Sequence, residues 1–240
     1  MTTSISEIAT DIYRISTYTD EIAGGFTFNQ FYVDAEEPLL FHTGTRGAFA
    51  AVAEALGQLR PVEQLRWISF SHFEADESGA VNEWLGAAPS ATVVVGNLTG
   101  MISVSDQADR PVRTLADSEV LDLGGKRVRW LDTPHVPHGW DAGMLYEETA
   151  GTLFCSDLLS QLGKAQPLIT NDVVAPAMEA EGIFGATALT PALGPTLRRL
   201  AELQPTTLAI MHGSSFTGDC SDTLLRAAAA YEDRLVNALP

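Results

Sequence analysis

Trp67-Ile68-Ser69-Phe70-Ser71-His72-Phe73-Glu74-Ala75-Asp76-Glu77-Ser78-Gly79 is the stretch on which the fold and the chemistry turn. A short apolar run reads as a buried strand, and it leads into four ligand-type side chains, a glycine and a helical pattern. If the segment stays extended, residues two apart face one side, so His72, Glu74 and Asp76 converge. Glu77 then turns to another side, where it can complete a second site beside the first. Three carboxylates within four residues repel one another unless a counter-charge sits among them, and a divalent metal ion supplies one. The competing reading is an acidic surface loop that opens a helix, where early Asp and Glu suit the helix dipole.

Outward from this stretch, apolar strands ending in a ligand-type residue recur. The chain has five histidines, and two more of them lie in the Pro-rich loop Thr133-Pro134-His135-Val136-Pro137-His138-Gly139-Trp140-Asp141. Asp157 follows the strand-like Thr152-Leu153-Phe154-Cys155, and His212 follows Leu208-Ala209-Ile210-Met211. One histidine alone is most often a hydrogen-bonded core residue, but three strand ends together with an H-x-E-x-D cluster form a set. His42 ends the run Leu39-Leu40-Phe41 and reads as core or as a hydrogen-bonding neighbour of the ligands. Cys155 reads as a small buried hydrophobe. Phe26, Phe28, Phe73 and Trp140 lie near the same loops and are candidates to wall a pocket, although ordinary packing explains each one alone.

Strand-like runs cover Ile12 to Tyr18, Phe26 to Val33, Pro38 to His42, Trp67 to His72, Thr92 to Val95, Lys126 to Leu131, Gly143 to Tyr146, Thr152 to Cys155 and Thr207 to Met211. Each is short and bounded by turn residues, and Gly124-Gly125 and Gly151 mark hairpin bends. Helical spacing appears over Ala48 to Leu59, Gly79 to Leu85, Ala192 to Leu203 and Asp222 to Leu239. Strands with helices interspersed in both halves predict an α/β protein with two packed sheets and helices outside them, in one domain over residues 1–240.

Composition limits the function classes. At 240 residues and 45% apolar, the chain is long enough to build its own core without disulfides. The net charge of −17 disfavours nucleic acid and anionic membrane surfaces as partners, because both bind through cations. No apolar run suits a membrane span, and the first residues lack a signal-peptide pattern, so the expectation is a cytoplasmic protein.

The set resembles the metallo-β-lactamase fold (an αββα sandwich). Within that fold it is similar to the di-iron branch: oxygen-binding di-iron proteins and the β-lactamase-like domain of flavodiiron proteins. Hydrolytic members carry H-x-H-x-D-H, whereas the di-iron branch carries H-x-E-x-D, here His72, Glu74 and Asp76. Asp157 follows His138 by 19 residues and His212 follows Asp157 by 55, in keeping with that branch. The resemblance implies one iron held by His72, Glu74 and His138, a second held by Asp76 and His212, and Asp157 bridging the pair. His135 then hydrogen-bonds near the centre, or gates or ligates it. Glu77 departs from the family pattern, which has histidine there. It either ligates the second metal or faces solvent and leaves a position open. As a ligand, Glu77 would bring the carboxylates to four, matching the charge of two ferrous ions, and would lower the reduction potential.

The resemblance implies two iron ions, with manganese or zinc as alternatives, and a non-haem di-iron protein that binds dioxygen or nitric oxide, as sensor or reductase. The domain fills the whole chain, so no flavodoxin domain is expected, and reduction requires an external electron donor (sensing, a signalling partner). A homodimer is compatible with it. The alternative is a binuclear zinc hydrolase acting on a thioester, lactone or phosphodiester, against which Glu74 and Glu77 stand, since each replaces a histidine of the hydrolytic pattern.

Overall fold

A computed structural model of the chain describes residues 2–238. The first half builds one sheet from β1 (Thr2–Ala9), β2 (Ile12–Thr19), β3 (Phe26–Val33), β4 (Leu39–Phe41), β5 (Trp67–Ser69), β6 (Thr92–Gly96) and β7 (Arg113–Leu115), in that spatial order. β1 to β4 pair antiparallel, joined by turns. From β4 to β7 the pairing is parallel. Parallel neighbours need crossovers, and helices Phe49–Gly57, Ala75–Ser78 and Val81–Ala87 together with the helical stretch 97–107 supply them.

The second half adds β8 (Val120–Asp122), β9 (Arg127–Asp132), β10 (Gly143–Glu147), β11 (Thr152–Phe154), β12 (Leu168–Ile169), β13 (Thr207–Ala209) and β14 (Ser215–Thr217), in the order β12-β14-β13-β11-β10-β9-β8. Helices Val174–Phe184, Leu193–Glu202 and Cys220–Ala238 belong to this half.

Three apolar layers follow from the two-residue period of the strands. Phe31, Phe41, Val94, Trp130, Phe154 and Ala209 meet between the sheets. Their strand neighbours Tyr32, Leu40, Val93 and Val95 point the other way, into the layer beneath Val52, Leu56 and Trp84 of the first helices. Leu153 and Leu208 likewise face Leu197, Leu224 and Tyr231. Both faces of the central strands are buried, which is why they read as unbroken apolar runs. The result is the expected αββα sandwich. Among the described residues, no helix is long and apolar enough to cross a membrane.

All nine expected strands are present. The run through His72 ends as a strand at Ser69, however, and Asp76 and Glu77 lie in the helical turn Ala75–Ser78. The extended reading of His72 to Asp76 is therefore corrected: the chain bends between them. The helix expected over Asp222 to Leu239 runs Cys220–Ala238, and Leu239 lies outside the described residues. Helix Val174–Phe184 was not anticipated. Its apolar residues are not confined to one stripe and Pro176 interrupts the pattern. Asp172 accepts from the amides of Val174 and Ala175 at its start, and Gly185 ends it at φ 57°.

Candidate metal centre

The candidate ligands gather at the carboxyl ends of strands, where sheets of α/β proteins commonly present their sites. His72 and Glu74 follow β5 in a bend, and Glu74 is extended before the helical turn that carries Asp76 and Glu77. His138 lies in the loop between β9 and β10, which is closed by a Thr133 hydroxyl bond to the Val136 carbonyl (2.8 Å) and a His135 amide bond to the Gly139 carbonyl (2.7 Å). Asp157 follows β11 and His212 follows β13. These two parallel ends are tied by the Met211 amide donating to the Ser156 carbonyl (3.1 Å).

The side chains form two adjoining groups, His72, Glu74, His138 and Asp157, and Asp76, Glu77 and His212. In the first group, Glu74 Oε2 lies 3.2 Å from His72 Nε2 and 2.9 Å from His138 Nε2. Asp157 Oδ2 lies 3.5 and 3.4 Å from the same two nitrogens. Atoms bound about 2.1 Å from one first-row metal ion lie about 3.0–3.4 Å from each other, so the quadrilateral has the size of a coordination shell. In the second group, His212 Nε2 lies 3.4 Å from Asp76 Oδ2 and 3.1 Å from Asp157 Oδ1. Asp157 thus turns one oxygen to each group.

Proton accounting agrees with a cation. His212 Nδ1 donates to the Thr27 carbonyl (2.8 Å), so in the neutral ring Nε2 carries a bare lone pair directed at the carboxylates. Against the neutral ring, Asp157 Oδ1, 3.1 Å from that lone pair, has no hydrogen-bond donor. Neither oxygen of Glu77 has one either, although the residue is 0% exposed. Buried carboxylate oxygens without donors are costly, and a metal ion removes the cost for all three. The solvent-facing reading of Glu77 is therefore excluded by its burial.

Titration in the metal-free state shows the same crowding. The His138 and His72 imidazoles pull the Glu74 carboxyl down to about 2, and Glu74 in turn raises His138. Burial pushes the Glu77 carboxyl well up, and Asp157 and Asp76 beside it push further in that direction. Burial alone would raise Asp157, but His212, His72 and His138 outweigh it and hold the carboxyl well below its usual range. Burial would lower His212, yet Asp157 and Asp76 bring it above its ordinary value.

Around the groups, Phe26 stacks on the His212 ring (4.4 Å between centroids) and Phe28 meets it edge-on (5.4 Å), closing the Asp76–Glu77–His212 side. Glu74 is 52% exposed and His138 partly so, which makes the other group the open side. Phe73 and Trp140 are exposed at the surface. Cys155 is fully buried in the layer beside Leu153 and Leu158. His42 is buried with Nε2 3.1 Å from Ser71 Oγ, and Ser71 Oγ lies 3.0 Å from His72 Nδ1. Burial brings the His42 imidazole down to about 3. His135 is exposed, and among the described residues its side chain makes no hydrogen bond to the two groups, so the expected neighbour role has no contact to support it. Ser71, Ser156 and Met211 were not singled out from sequence. Each directly precedes a ligand-type residue (His72, Asp157 and His212), and that adjacency was the available signal.

Comparison with known proteins agrees in fold. A coenzyme oxidase from Methanothermobacter marburgensis is 30% identical over 192 residues, which cover 75% of this chain and 46% of that protein. A diflavin flavoprotein of Synechocystis sp. is 26% identical over 200 residues, 80% of this chain and 34% of that one. The chain spans between 24% and 46% of the length of the curated relatives it matches. Among solved structures, the flavodiiron core from Synechocystis sp. superposes with a TM-score of 0.81 at 18% identity, over 98% of this chain and 61% of that one. Rubredoxin oxygen:oxidoreductase from Desulfovibrio gigas gives 0.78 at 17%, over 97% and 62%. The family described as ODP family beta lactamase matches residues 26–213, a span that contains all seven candidate ligands from His72 to His212, and the chain belongs to that family.

Proposed function

We propose that the chain is a non-haem di-iron protein that binds dioxygen, with nitric oxide as the second diatomic, and that it reduces the bound gas when an electron donor outside this domain supplies it. His72, Glu74 and His138 would hold one iron and Asp76, Glu77 and His212 the other, with Asp157 offering an oxygen to each group. The observation that carries the reading is the two-sided placement of Asp157 between groups rich in carboxylate oxygen. Hard oxygen donors suit iron or manganese better than soft sites suit them. A diferrous pair supplies two electrons at one place, which suits a diatomic oxidant.

The protein residues divide the remaining work. Phe26 and Phe28 keep water from the Asp76–Glu77–His212 side, and the Thr27 carbonyl fixes which His212 nitrogen faces the centre. Glu74 and His138 line the open side, where small molecules enter. Four carboxylates balance the charge of two ferrous ions. The relatives' names speak of oxidase and flavodiiron chemistry, which does not favour the hydrolytic alternative.

Anaerobic loading with ferrous iron is expected to give two irons per chain. Exposure to oxygen should then produce a ferric absorption that dithionite bleaches, and nitric oxide should give a distinct spectrum. Stoichiometric zinc with thioester, lactone or phosphodiester hydrolysis, and no spectral response to either gas, would overturn the proposal.

A further inference from the structure

His42 lies behind the centre, between the two strand ends that carry His72 and His212. Its backbone is left-handed at φ 67°, and Ser156 is left-handed at φ 53°. Non-glycine residues hold such angles where the surroundings demand them, and here both belong to one hydrogen-bond chain. His42 Nδ1 lies 2.9 Å from Met211 Sδ, and Nε2 lies 3.1 Å from Ser71 Oγ. Ser71 Oγ also meets His72 Nδ1 at 3.0 Å and Ser156 Oγ at 2.8 Å. The Phe41 ring packs against His42 at 4.3 Å, and among the described residues no carboxylate lies within ion-pair distance of it. The ring is therefore neutral and carries one proton.

A thioether has no proton to give. Met211 Sδ can only accept, so the single proton of His42 sits on Nδ1 and leaves Nε2 as an acceptor. The Ser71 hydroxyl then donates to Nε2, which commits its one proton. Its two lone pairs receive the Ser156 hydroxyl and the N–H of His72 Nδ1. Ser156 Oγ also lies 3.3 Å from His72 Nδ1, and with its proton committed to Ser71 it too can only accept from that ring. The opposite arrangement sets the His42 Nδ1 lone pair against the sulfur lone pairs.

We infer that Met211, His42 and Ser71 form a one-way relay that holds a proton on His72 Nδ1, so that Nε2, beside Glu74 and Asp157, is the nitrogen left for a metal ion. His42 and Ser71 are positioning residues: they act through His72. The acceptor for the ligand's N–H is a neutral hydroxyl, itself held by a neutral imidazole, where a carboxylate would make the ring a stronger electron donor. The inference rests on the ligand reading of His72, but the relay exists in the metal-free protein and can be read there.

Long-range nitrogen–proton spectra of metal-free, histidine-labelled protein report the tautomer of each ring directly. His42 and His72 should both carry the proton on Nδ1, and Met211→Leu should move the His42 proton to Nε2. Cobalt(II) titration should show binding weakened about tenfold in Ser71→Ala and restored in Ser71→Thr, which keeps the hydroxyl. A wild-type spectrum with the His42 proton on Nε2, or with His72 Nδ1 bare, overturns the relay even if every variant fails to fold. Unchanged cobalt affinity and an unchanged His72 tautomer in Ser71→Ala overturn it as well. Correct tautomers in a protein that binds no cobalt would instead count against the metal-centre reading and leave the relay standing.

Discussion

Replacing Asp157 by asparagine should erase the thermal stabilisation that metal gives this protein. A ligand that binds only the folded state stabilises it by about 4 kcal/mol when present at a thousand times its dissociation constant. For a domain of this size that is roughly 8–16 °C in melting temperature. Asp157 turns Oδ2 to His72 and His138 and Oδ1 to His212, so a single change weakens both groups at once. Asparagine keeps the shape but removes the charge and replaces one oxygen with an N–H donor that cannot face a cation. The measurement is the gap between the melts of ferrous-loaded and chelator-stripped protein, taken anaerobically for parent and variant. Because each gap is internal to one protein, any general effect of the substitution cancels. The parent gap should fall in the range above, and the Asp157→Asn gap should shrink to about 2 °C, with bound iron falling from two per chain to below one. A variant that keeps two irons and the full gap would show that Asp157 does not join the groups.

The sandwich was legible because its signals are local. Buried strands such as Trp67–Ser69 and Thr207–Ala209 announce themselves as apolar runs, and glycines at φ 72°, 83° and 69° (Gly124, Gly125, Gly151) mark the hairpin bends. The strands not anticipated were β1, β7, β8, β12 and β14. Apart from β1 they are two or three residues long, too short for a period to show. β1 alternates exposed and half-buried residues at a sheet edge, so its apolar content is low.

At the centre, the acidic stretch after His72, the strand-terminal Asp157 and His212 and the family spacing to His138 pointed to the seven residues that the structure brings together, but not to how the chain does it. The period-two argument put His72, Glu74 and Asp76 on one face. The chain instead turns into a helix at Ala75, which carries Asp76 and Glu77 into the second group. Helix initiation won over strand continuation there, and the acidic residues in the first turn were its sign. The two histidines of the Pro-rich loop look alike locally, and the family's 19-residue spacing to Asp157 ranked His138 first. The folded loop agrees, with His138 beside Glu74 and Asp157 and His135 exposed. The relay behind His72 was invisible for a related reason: Ser71, Ser156, His42 and Met211 come from four segments, and hydroxyls are too common to signal a partner more than 80 residues away.

Glutamine in place of Glu77 should move the metal-free and metal-loaded proteins in opposite directions. Burial, with Asp157 and Asp76 alongside, raises the Glu77 carboxyl in the metal-free fold. The sign follows from that direction. The group's contribution to stability is complete below its unfolded value, near 4.5, and is lost as pH climbs from there toward the raised folded value. Above that window the metal-free fold buries a carboxylate with no donor on either oxygen. Removing such a group relieves about 2 kcal/mol, or roughly 4–8 °C for a domain of this size. Metal-free Glu77→Gln should therefore melt above the parent at pH 8, and the difference should close as the pH falls to 4. His138 and His212 titrate in both proteins, so the difference between them isolates residue 77. With iron bound the order should reverse, because the variant has lost an anionic ligand while the parent's charge is compensated. Melts of both proteins across that pH range, stripped and loaded, make the comparison. A variant that is stabilised equally in both states would mean that Glu77 never meets a metal ion. One that is destabilised in both would mean that its carboxyl has a partner in the fold.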